Sequence, residues 1–307
     1  MMSVQNQIIS VSPIVLKVPN RIVDMEICVT APLSGDNLPI ILFSHGGGYS
    51  NFLSSYKGGG PLSDYWASQG FVVIKPTHLS SKTLKLSVDT PGYPIYAESR
   101  VEDMKTILDQ LDFIENAVPT LKGRMNRENI AAAGHSGGGL TAAMLLGASY
   151  THDNGNEIYL PDNRVKTAIL LAVSGEGDKE MPAPWGKVDI VNSFRYTKMN
   201  PPAFVITGGK DISPISSRGA EYYTDAYFRS PGEKTLLTLF DGEHMLGGIT
   251  GYDAEETTDE DPERVAIIQE MTTAYLHSTF NPENRSWEEA VKKLKTIQSA
   301  LGKIESK

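Results

Sequence analysis

The sequence predicts an α/β protein whose mostly parallel central sheet of about eight strands is covered by helices on both faces. Short, almost wholly apolar runs bounded by glycine or proline recur along the chain, and such runs are typical of strands buried on both faces. Segments with a helical period of apolar residues alternate with these runs. No internal repeat or low-complexity linker divides the sequence, so we expect a single domain over residues 1–307.

The two segments nearest the N-terminus differ from the buried runs, because residues 8–18 and 22–30 alternate partly between apolar and polar side chains. This pattern predicts antiparallel strands at one edge of the sheet. Residues 98–116 carry apolar side chains at steps of three and four, which predicts one helix. A helix of small residues is predicted over residues 137–148. Buried strands are predicted at residues 39–44, 71–75, 130–133, 165–173, 203–207 and 235–240.

Three long segments, residues 79–96, 149–163 and 174–200, fit neither a strand nor a core helix and are rich in glycine, proline or polar residues. Each follows the carboxyl end of a predicted strand, directly or after one helix, and open α/β sheets bind ligands at that edge. We therefore expect these segments to form pocket walls or a lid. The alternative that they are plain surface excursions stays open.

Composition and charge argue against several classes of protein. The formal net charge is −9 and basic residues form no extended cluster, so no nucleic-acid partner is expected. Cys28 is the only cysteine, which excludes an intramolecular disulfide and favours an intracellular protein. The sequence has neither a recognisable signal peptide nor an apolar run long enough to cross a bilayer. We expect a cytoplasmic protein without a transmembrane segment, and the sequence leaves its oligomeric state open.

The segment Gly134-His135-Ser136-Gly137-Gly138 matches the pattern Gly-x-Ser-x-Gly, which alone is a weak signal. Here an apolar strand precedes it and a helix of small residues follows. A serine at a sharp strand-to-helix turn has a strained backbone that exposes its hydroxyl, and Ser136 is therefore the predicted nucleophile. A phosphate-binding loop is the alternative use of such glycines, but neither the Walker lysine nor the dinucleotide spacing is present.

A second glycine-rich segment, Ser44-His45-Gly46-Gly47-Gly48, follows the third predicted strand. Acyl transfer generates an oxyanion that preorganised backbone N–H groups stabilise. One donor follows the nucleophile and the other lies in this loop, so Gly137 and Gly47 are the predicted donors. His45 precedes the loop. We therefore expect its side chain to brace the loop by a hydrogen bond and not to act as the catalytic base.

The acid and the base should follow the nucleophile in that order. Asp211 comes after the strand at residues 203–207 and a glycine turn, where the acid is expected. Glu176 and Asp178, one strand earlier, are alternative acids. His244 follows the last predicted strand and is the predicted base. Five residues near these groups or in the long segments are predicted to contact a substrate: Gly48, Tyr49, Trp185, Met245 and Leu246.

Neither a metal nor a cofactor is expected. No His-x-x-x-His or His-Glu-x-x-His pair occurs, and one cysteine excludes a four-cysteine site. An acidic run at residues 253–261 is a conceivable calcium site, but it lacks the EF-hand spacing. We interpret it as a solvated surface.

A family resemblance is carried by five segments: Ser44-His45-Gly46-Gly47-Gly48, residues 66–78, Arg100-Val101-Glu102-Asp103, residues 242–249 and residues 251–259. These segments resemble the chlorophyllase-like and platelet-activating-factor-acetylhydrolase-like branch of the α/β hydrolases, whose bacterial members are often labelled dienelactone-hydrolase-like. The resemblance covers roughly residues 39–280. It implies the α/β-hydrolase fold and a cofactor-free carboxylesterase with Ser136, Asp211 and His244 as its triad. Dienelactone hydrolases proper use a cysteine nucleophile, so the serine here does not imply a lactone substrate.

The sequence thus predicts hydrolysis of a carboxylic ester through an acyl-enzyme. The expected substrate is a small-molecule or lipid-like ester, with chlorophyll and polyesters as candidates that the family suggests. Two alternatives stay open. The first is a binding protein with this fold that turns nothing over, and the second is an amidase or acyltransferase that uses the same triad.

Overall fold

A large, mostly parallel sheet forms the centre of the protein. The computed structural model describes residues 6–50, 53–177, 181–212, 215–251 and 254–307. Within them, nine strands form the central sheet and two form a separate hairpin. The strands are β1 (Ile8–Leu16), β2 (Met25–Pro32), β3 (Leu38–Ser44), β4 (Val72–Pro76), β5 (Met125–His135), β6 (Ser149–Thr151), β7 (Glu157–Tyr159), β8 (Val165–Leu171), β9 (Ala203–Gly208), β10 (Lys234–Leu239) and β11 (Gly302–Ser306).

Helices cover both faces of this sheet. The helices of the described residues are α1 (Gly60–Ser68), α2 (Ala97–Asp109), α3 (Leu111–Ala117), α4 (Gly137–Leu145), α5 (Asp189–Ser193), α6 (Asp225–Phe228), α7 (Pro262–Phe280) and α8 (Ser286–Thr296).

The sheet order is β1-β2-β4-β3-β5-β8-β9-β10-β11. Its six inner strands from β4 to β10 run parallel, while β1, β2 and β11 pair antiparallel at the two edges. The prediction of a mostly parallel α/β sheet with an antiparallel edge at the N-terminus is therefore confirmed. The sheet has one strand more than expected, because β11 alternates polar and apolar residues and lacks the apolar run that marks the inner strands.

The two faces of the sheet bury separate apolar clusters. On β5, Ala132 packs in the cluster beneath α2 and α4, whereas Ala131 and Ala133 pack in the cluster beneath α1, α7 and α8. This alternation follows from the two-residue period of a strand. In the second cluster Trp66 is fully buried, and its Nε1 donates a hydrogen bond to Thr272 Oγ1 at 2.9 Å. Pairing the indole N–H removes the cost of burying a donor without an acceptor.

The helix predicted over residues 98–116 is two helices. Gln110 interrupts it with φ −110° and ψ 22°, and its side chain donates a hydrogen bond to the carbonyl of Lys17 at 2.8 Å. The apolar stripe nevertheless continues across the break, since every residue of the stripe is buried: Val101, Met104, Leu108, Leu111 and Ile114. Periodicity predicted the buried face correctly but could not show this local departure from helical backbone.

The long segments contain more regular structure than the sequence indicates. Residues 149–163 include the antiparallel hairpin of β6 and β7, and residues 174–200 include α5. The two segments also pair with each other, because Ser149 and Arg195 exchange backbone hydrogen bonds of 3.0 and 2.8 Å. The hairpin therefore braces the chain that carries α5.

No helix among the residues described combines the length and the apolar character that crossing a bilayer requires.

Replacing Gly134 with alanine should destabilise the protein by about 3 kcal/mol, because overpacking against rigid backbone cannot be relieved by a rotamer change. A Cβ at Gly134 would lie 2.1 Å from the carbonyl oxygen of Gly138. Gly137→Ala is the matched control, since a Cβ there meets no atom within 4 Å. Thermal or urea unfolding of the two variants measures the difference. Equal stability of both would contradict this account of the turn.

Candidate active site

Ser136 lies at the sharp turn between β5 and α4. Its backbone has φ 53° and ψ −120°, a conformation that residues with a side chain rarely adopt. The N–H of Ser136 donates to the carbonyl of Leu171 at 2.9 Å, and its own carbonyl accepts from the N–H of Gly139 at 2.9 Å. Hydrogen bonds on both sides of the residue hold this strained conformation, as the packing around such a site must.

Three side chains from separate loops meet at this turn. His244 Nε2 is 3.0 Å from Ser136 Oγ, and His244 Nδ1 is 2.9 Å from Asp211 Oδ2. Asp211 is fully buried and follows β9, while His244 follows β10. With the proton on Nδ1, the imidazole donates to the carboxylate and accepts from the serine hydroxyl. This is the geometry of a nucleophile, a base and a group that orients the base.

The alternative acids do not take this position. Glu176 Oε1 accepts a hydrogen bond from the N–H of Tyr196 at 2.8 Å, and its other oxygen faces Arg195 and Arg229. Asp178 lies outside the described residues. Of the acids that the structure describes, Asp211 is thus the one that contacts His244.

A cavity of about 540 Å³ opens above Ser136, and His244, Gly47 and Gly137 also line it. Its volume is in the range of small-molecule sites. Among the described residues, no hydrogen bond occupies the N–H of Gly47 or Gly137. Both predicted donors are therefore free beside the serine. Much of the remaining wall is apolar: Pro94, Ile95, Leu140, Trp185, Ile190, Val191, Ile212 and Ile215.

The predicted substrate contacts divide into two groups. Gly48 and Trp185 line the cavity. Tyr49, Met245 and Leu246 are not part of the lining that the described residues form. Tyr49 is exposed, whereas Met245 and Leu246 are buried, and Leu246 turns into the core with φ 49°. These two side chains are buried, whereas His244 of the same turn lines the cavity, and substrate contact by them stays a prediction.

Arg100 braces the loop after β3, which sequence reasoning noted only as part of a family motif. Its guanidinium donates to Ser44 Oγ at 3.2 Å, to the carbonyl of His45 and to Thr141 Oγ1 at 3.0 Å. The side chain is 2% exposed, and burial lowers the pKa of Arg100 to about 10. A buried cation with neutral acceptors is costly, so its hydrogen bonds define where the loop lies.

A further buried pair supports the same loop from behind. His78 Nε2 is 2.9 Å from Ser44 Oγ, and His78 Nδ1 is 2.8 Å from Asp103 Oδ2. Arg21 Nε donates to the other oxygen of Asp103 at 2.9 Å. Burial raises the pKa of Asp103 to about 7, although the Arg21 guanidinium opposes this shift. The loop therefore rests on a polar network that crosses the interior.

His45 braces its own loop, as predicted. Its Nδ1 is 2.7 Å from the carbonyl of Gly46, and its Nε2 accepts a hydrogen bond from the N–H of His78 at 3.1 Å. Burial lowers the pKa of His45 well below its ordinary value, so the ring is neutral. Both nitrogens are engaged away from Ser136.

His135 contributes to the site in a way that its position in the motif does not suggest. Its ring lies 5.0 Å from that of His244. His135 Nε2 donates to the carbonyl of His244 at 2.7 Å. Burial lowers the pKa of His135 to about 3, which keeps it a neutral donor. His135 thus supports the backbone that carries the candidate base.

The described residues contain no group of three or more histidine, cysteine, aspartate or glutamate side chains placed to hold a metal ion.

Comparison of the chain with protein-family models finds no match, and comparison with curated proteins finds none.

His152 joins the long segments around the cavity. Its Nδ1 is 2.9 Å from Asp189 Oδ2 on α5, and its Nε2 is 3.2 Å from Glu98 Oε1 on α2. The neighbouring Ile190 and Val191 of α5 form part of the cavity wall. The hydrogen bond with Asp189, together with the Glu98 carboxylate, raises the pKa of His152. His152 therefore clamps the hairpin to the helix that borders the cavity.

Replacing His152 with glutamine should destabilise the protein more at acid pH than at alkaline pH. Because the folded-state pKa of His152 is raised, its stabilising contribution is complete below the unfolded value and is lost as the pH rises through the folded value. We expect less than about 1 kcal/mol, since the pair is partly exposed. Melting temperatures at about pH 5 and about pH 8 measure the effect.

The matched control for His152 is Lys198→Ala. Lys198 binds Glu157 of the same hairpin through a carboxylate–ammonium pair with an N–O distance of 2.6 Å. Its removal should change the melting temperature by similar amounts at both pH values. A pH-independent effect of His152→Gln would show that the clamp does not depend on protonation.

Proposed function

We propose that this protein is a serine hydrolase of the α/β-hydrolase fold that cleaves carboxylic esters. The contact that carries the proposal is the 3.0 Å approach of His244 Nε2 to Ser136 Oγ, with Asp211 on the other side of the imidazole. The order of these residues along the chain is also the order typical of this fold. The sequence resemblance to the chlorophyllase-like branch supports the same function.

In the proposed first step, His244 Nε2 takes the hydroxyl proton while Ser136 Oγ attacks the ester carbonyl. The carbonyl π electrons move to oxygen, and the N–H groups of Gly47 and Gly137 stabilise the resulting oxyanion. Asp211 stabilises the imidazolium without taking its proton. When the oxyanion collapses, the ester C–O bond breaks, the alcohol leaves with the proton of His244, and an acyl-enzyme remains.

In the second step, water adds to the acyl-enzyme. His244 takes a proton from the water, the hydroxide attacks the acyl carbonyl, and a second oxyanion forms at the same donors. Its collapse returns the proton to Ser136 Oγ and releases the carboxylic acid. The two steps balance as hydrolysis of one ester by one water, and neither uses a cofactor.

The cavity favours an ester with an apolar group. Its wall combines apolar side chains such as Ile95, Trp185 and Val191 with six polar or charged ones: Ser80, Lys82, Arg100, Ser136, Ser174 and His244. Burial of apolar surface contributes roughly 25 cal/mol per Å², so an acyl chain or an apolar alcohol group gains affinity there. A small-molecule or lipid-like ester is the proposed substrate class.

Replacing Ser136 with alanine should lower ester turnover at least about 1,000-fold, because no other group supplies the nucleophile. A panel of p-nitrophenyl esters measures the rate, and a fluorophosphonate probe measures covalent labelling. The wild type should react with both, and Ser136→Ala with neither. Ser87→Ala is the control, since Ser87 is an exposed serine that does not line the cavity.

The same experiment separates the alternatives. Labelling without turnover of any ester would favour an amidase or acyltransferase. Absence of both labelling and turnover in the wild type would favour a binding protein with this fold and would overturn the proposal.

Replacing Ile212 with glutamate should raise the KM for a long-chain ester roughly 3- to 10-fold, because a charge replaces apolar contact surface. Acetate esters should be affected less. Ile212 lines the cavity and is 81% exposed. Ile297→Glu is the matched control, since Ile297 is 79% exposed at the end of α8 and does not line the cavity. Equal KM values for the two variants would contradict the assignment of the acyl site.

A further inference from the structure

The acidic run near the C-terminal end of β10 is not the solvated surface that its composition suggests. Here the acidic segment means residues 254–261; Asp253 of the predicted run lies outside the described residues. Asp259 has a side chain that is only 5% exposed, and Glu256 is partly buried. Glu255 and Glu260 are exposed, as the sequence predicts for the whole run. The segment thus contains acids in two different environments.

Glu256 binds the chain that directly follows the predicted oxyanion loop. Its Oε1 accepts hydrogen bonds from the N–H groups of Tyr49 at 2.7 Å and Ser50 at 2.9 Å. Its Oε2 accepts from the hydroxyl of Ser50 at 2.6 Å. Burial alone would raise the pKa of Glu256, but these hydrogen bonds outweigh it and lower the pKa, so the group is a carboxylate at neutral pH.

The approach of Glu256 depends on the glycine before these donors. A Cβ at Gly48 would lie 2.6 Å from Glu256 Oε1 and 1.8 Å from the side chain of Leu53. A side chain at this position would therefore displace the Glu256 carboxylate and the Leu53 side chain from where they lie. The contact is thus part of the close packing that shapes the loop.

Asp259 binds the turn that carries the candidate base. Its Oδ2 accepts hydrogen bonds from the N–H groups of Glu243 at 2.7 Å and Gly247 at 3.0 Å. These two donors lie on either side of His244. Arg264 Nη1 donates to the same oxygen at 3.0 Å, which balances the buried charge. One carboxylate thus holds the turn at both ends.

We propose that the acidic segment is a positioning element that holds the oxyanion loop through Glu256 and the base turn through Asp259. This inference rests on the proposed function. Only two residues separate the two carboxylates along the chain, so a single short stretch sets where Gly47 and His244 lie relative to each other. Catalytic groups must be held to within a fraction of an ångström, and displacement of either would slow the reaction more than it weakens substrate binding.

Glu256→Ala and Asp259→Ala should each lower kcat for a p-nitrophenyl ester about 10- to 100-fold and leave KM within about threefold. A trifluoromethyl ketone forms a tetrahedral oxyanion on the serine, so its affinity should fall with kcat/KM. Glu256→Gln and Asp259→Asn should recover most of the lost rate, because each keeps an oxygen that accepts from the backbone N–H groups. A role in stability alone would not predict a specific loss of kcat and of inhibitor affinity.

Glu255→Ala and Glu260→Ala are the matched controls. Each removes one negative charge from the same segment, and neither side chain has a hydrogen bond or an ion pair within the described parts of the chain. Both controls should keep the kcat of the wild type. An equal loss of kcat in the controls would show that net charge matters and not the contacts, and would overturn the inference.

Two further outcomes are decisive. If wild-type protein hydrolyses esters while Glu256→Ala and Asp259→Ala keep its kcat and inhibitor affinity, the positioning role fails and the proposed function stands. If the wild type shows neither turnover nor fluorophosphonate labelling, the proposed function fails and this inference fails with it. Should the alanine variants not fold, Glu256→Asp decides, because it keeps the charge but shortens the side chain by one methylene and so weakens the contacts with the N–H groups of Tyr49 and Ser50; an unchanged kcat would again overturn the inference.

Discussion

The close approach of two backbone turns is the constraint on which the rest of the site depends. A Cβ at Gly138 would lie 2.0 Å from the carbonyl oxygen of Ser44, so α4 can begin directly against the end of β3 only because this residue is glycine. This approach puts the strained Ser136 beside the loop that carries Gly47. Backbone atoms on both sides therefore define where Ser136 lies, and the other groups of the site must be positioned relative to it.

Buried or partly buried ionic groups bring those other groups into place, and they do so through backbone atoms. Arg100 donates to the carbonyl of His45, while Glu256 and Asp259 accept from the N–H groups of the two neighbouring loops. Burying a charge is costly, and its removal leaves its partners unsatisfied. Such contacts contribute less to net stability than apolar packing would, but they define the conformation of loops that have little apolar surface of their own.

Much of this architecture could be predicted from the sequence, because apolar runs, glycine turns and residue order are local signals. They predicted the parallel sheet and the segments in which Ser136, Asp211 and His244 lie. What they missed depends on contacts between distant residues. The break at Gln110, the contact of His135 with His244 and the burial of Asp259 each involve a partner remote in sequence. Composition favoured a solvated acidic run because it cannot show which carboxylates meet buried backbone N–H groups.

The two sides of the cavity differ in how firmly they are held. The side formed by the strand ends is tied by buried groups, with Arg100 only 2% exposed. The opposite side, formed by α5 and its hairpin, is tied by the partly exposed His152 and by pairs such as Lys198 with Glu157. Because solvent-exposed pairs are weak, that wall can change without disturbing the serine. If the site is hydrolytic, part of the substrate pocket therefore lies on an element separate from the triad, although Ile212 next to Asp211 lines the pocket as well.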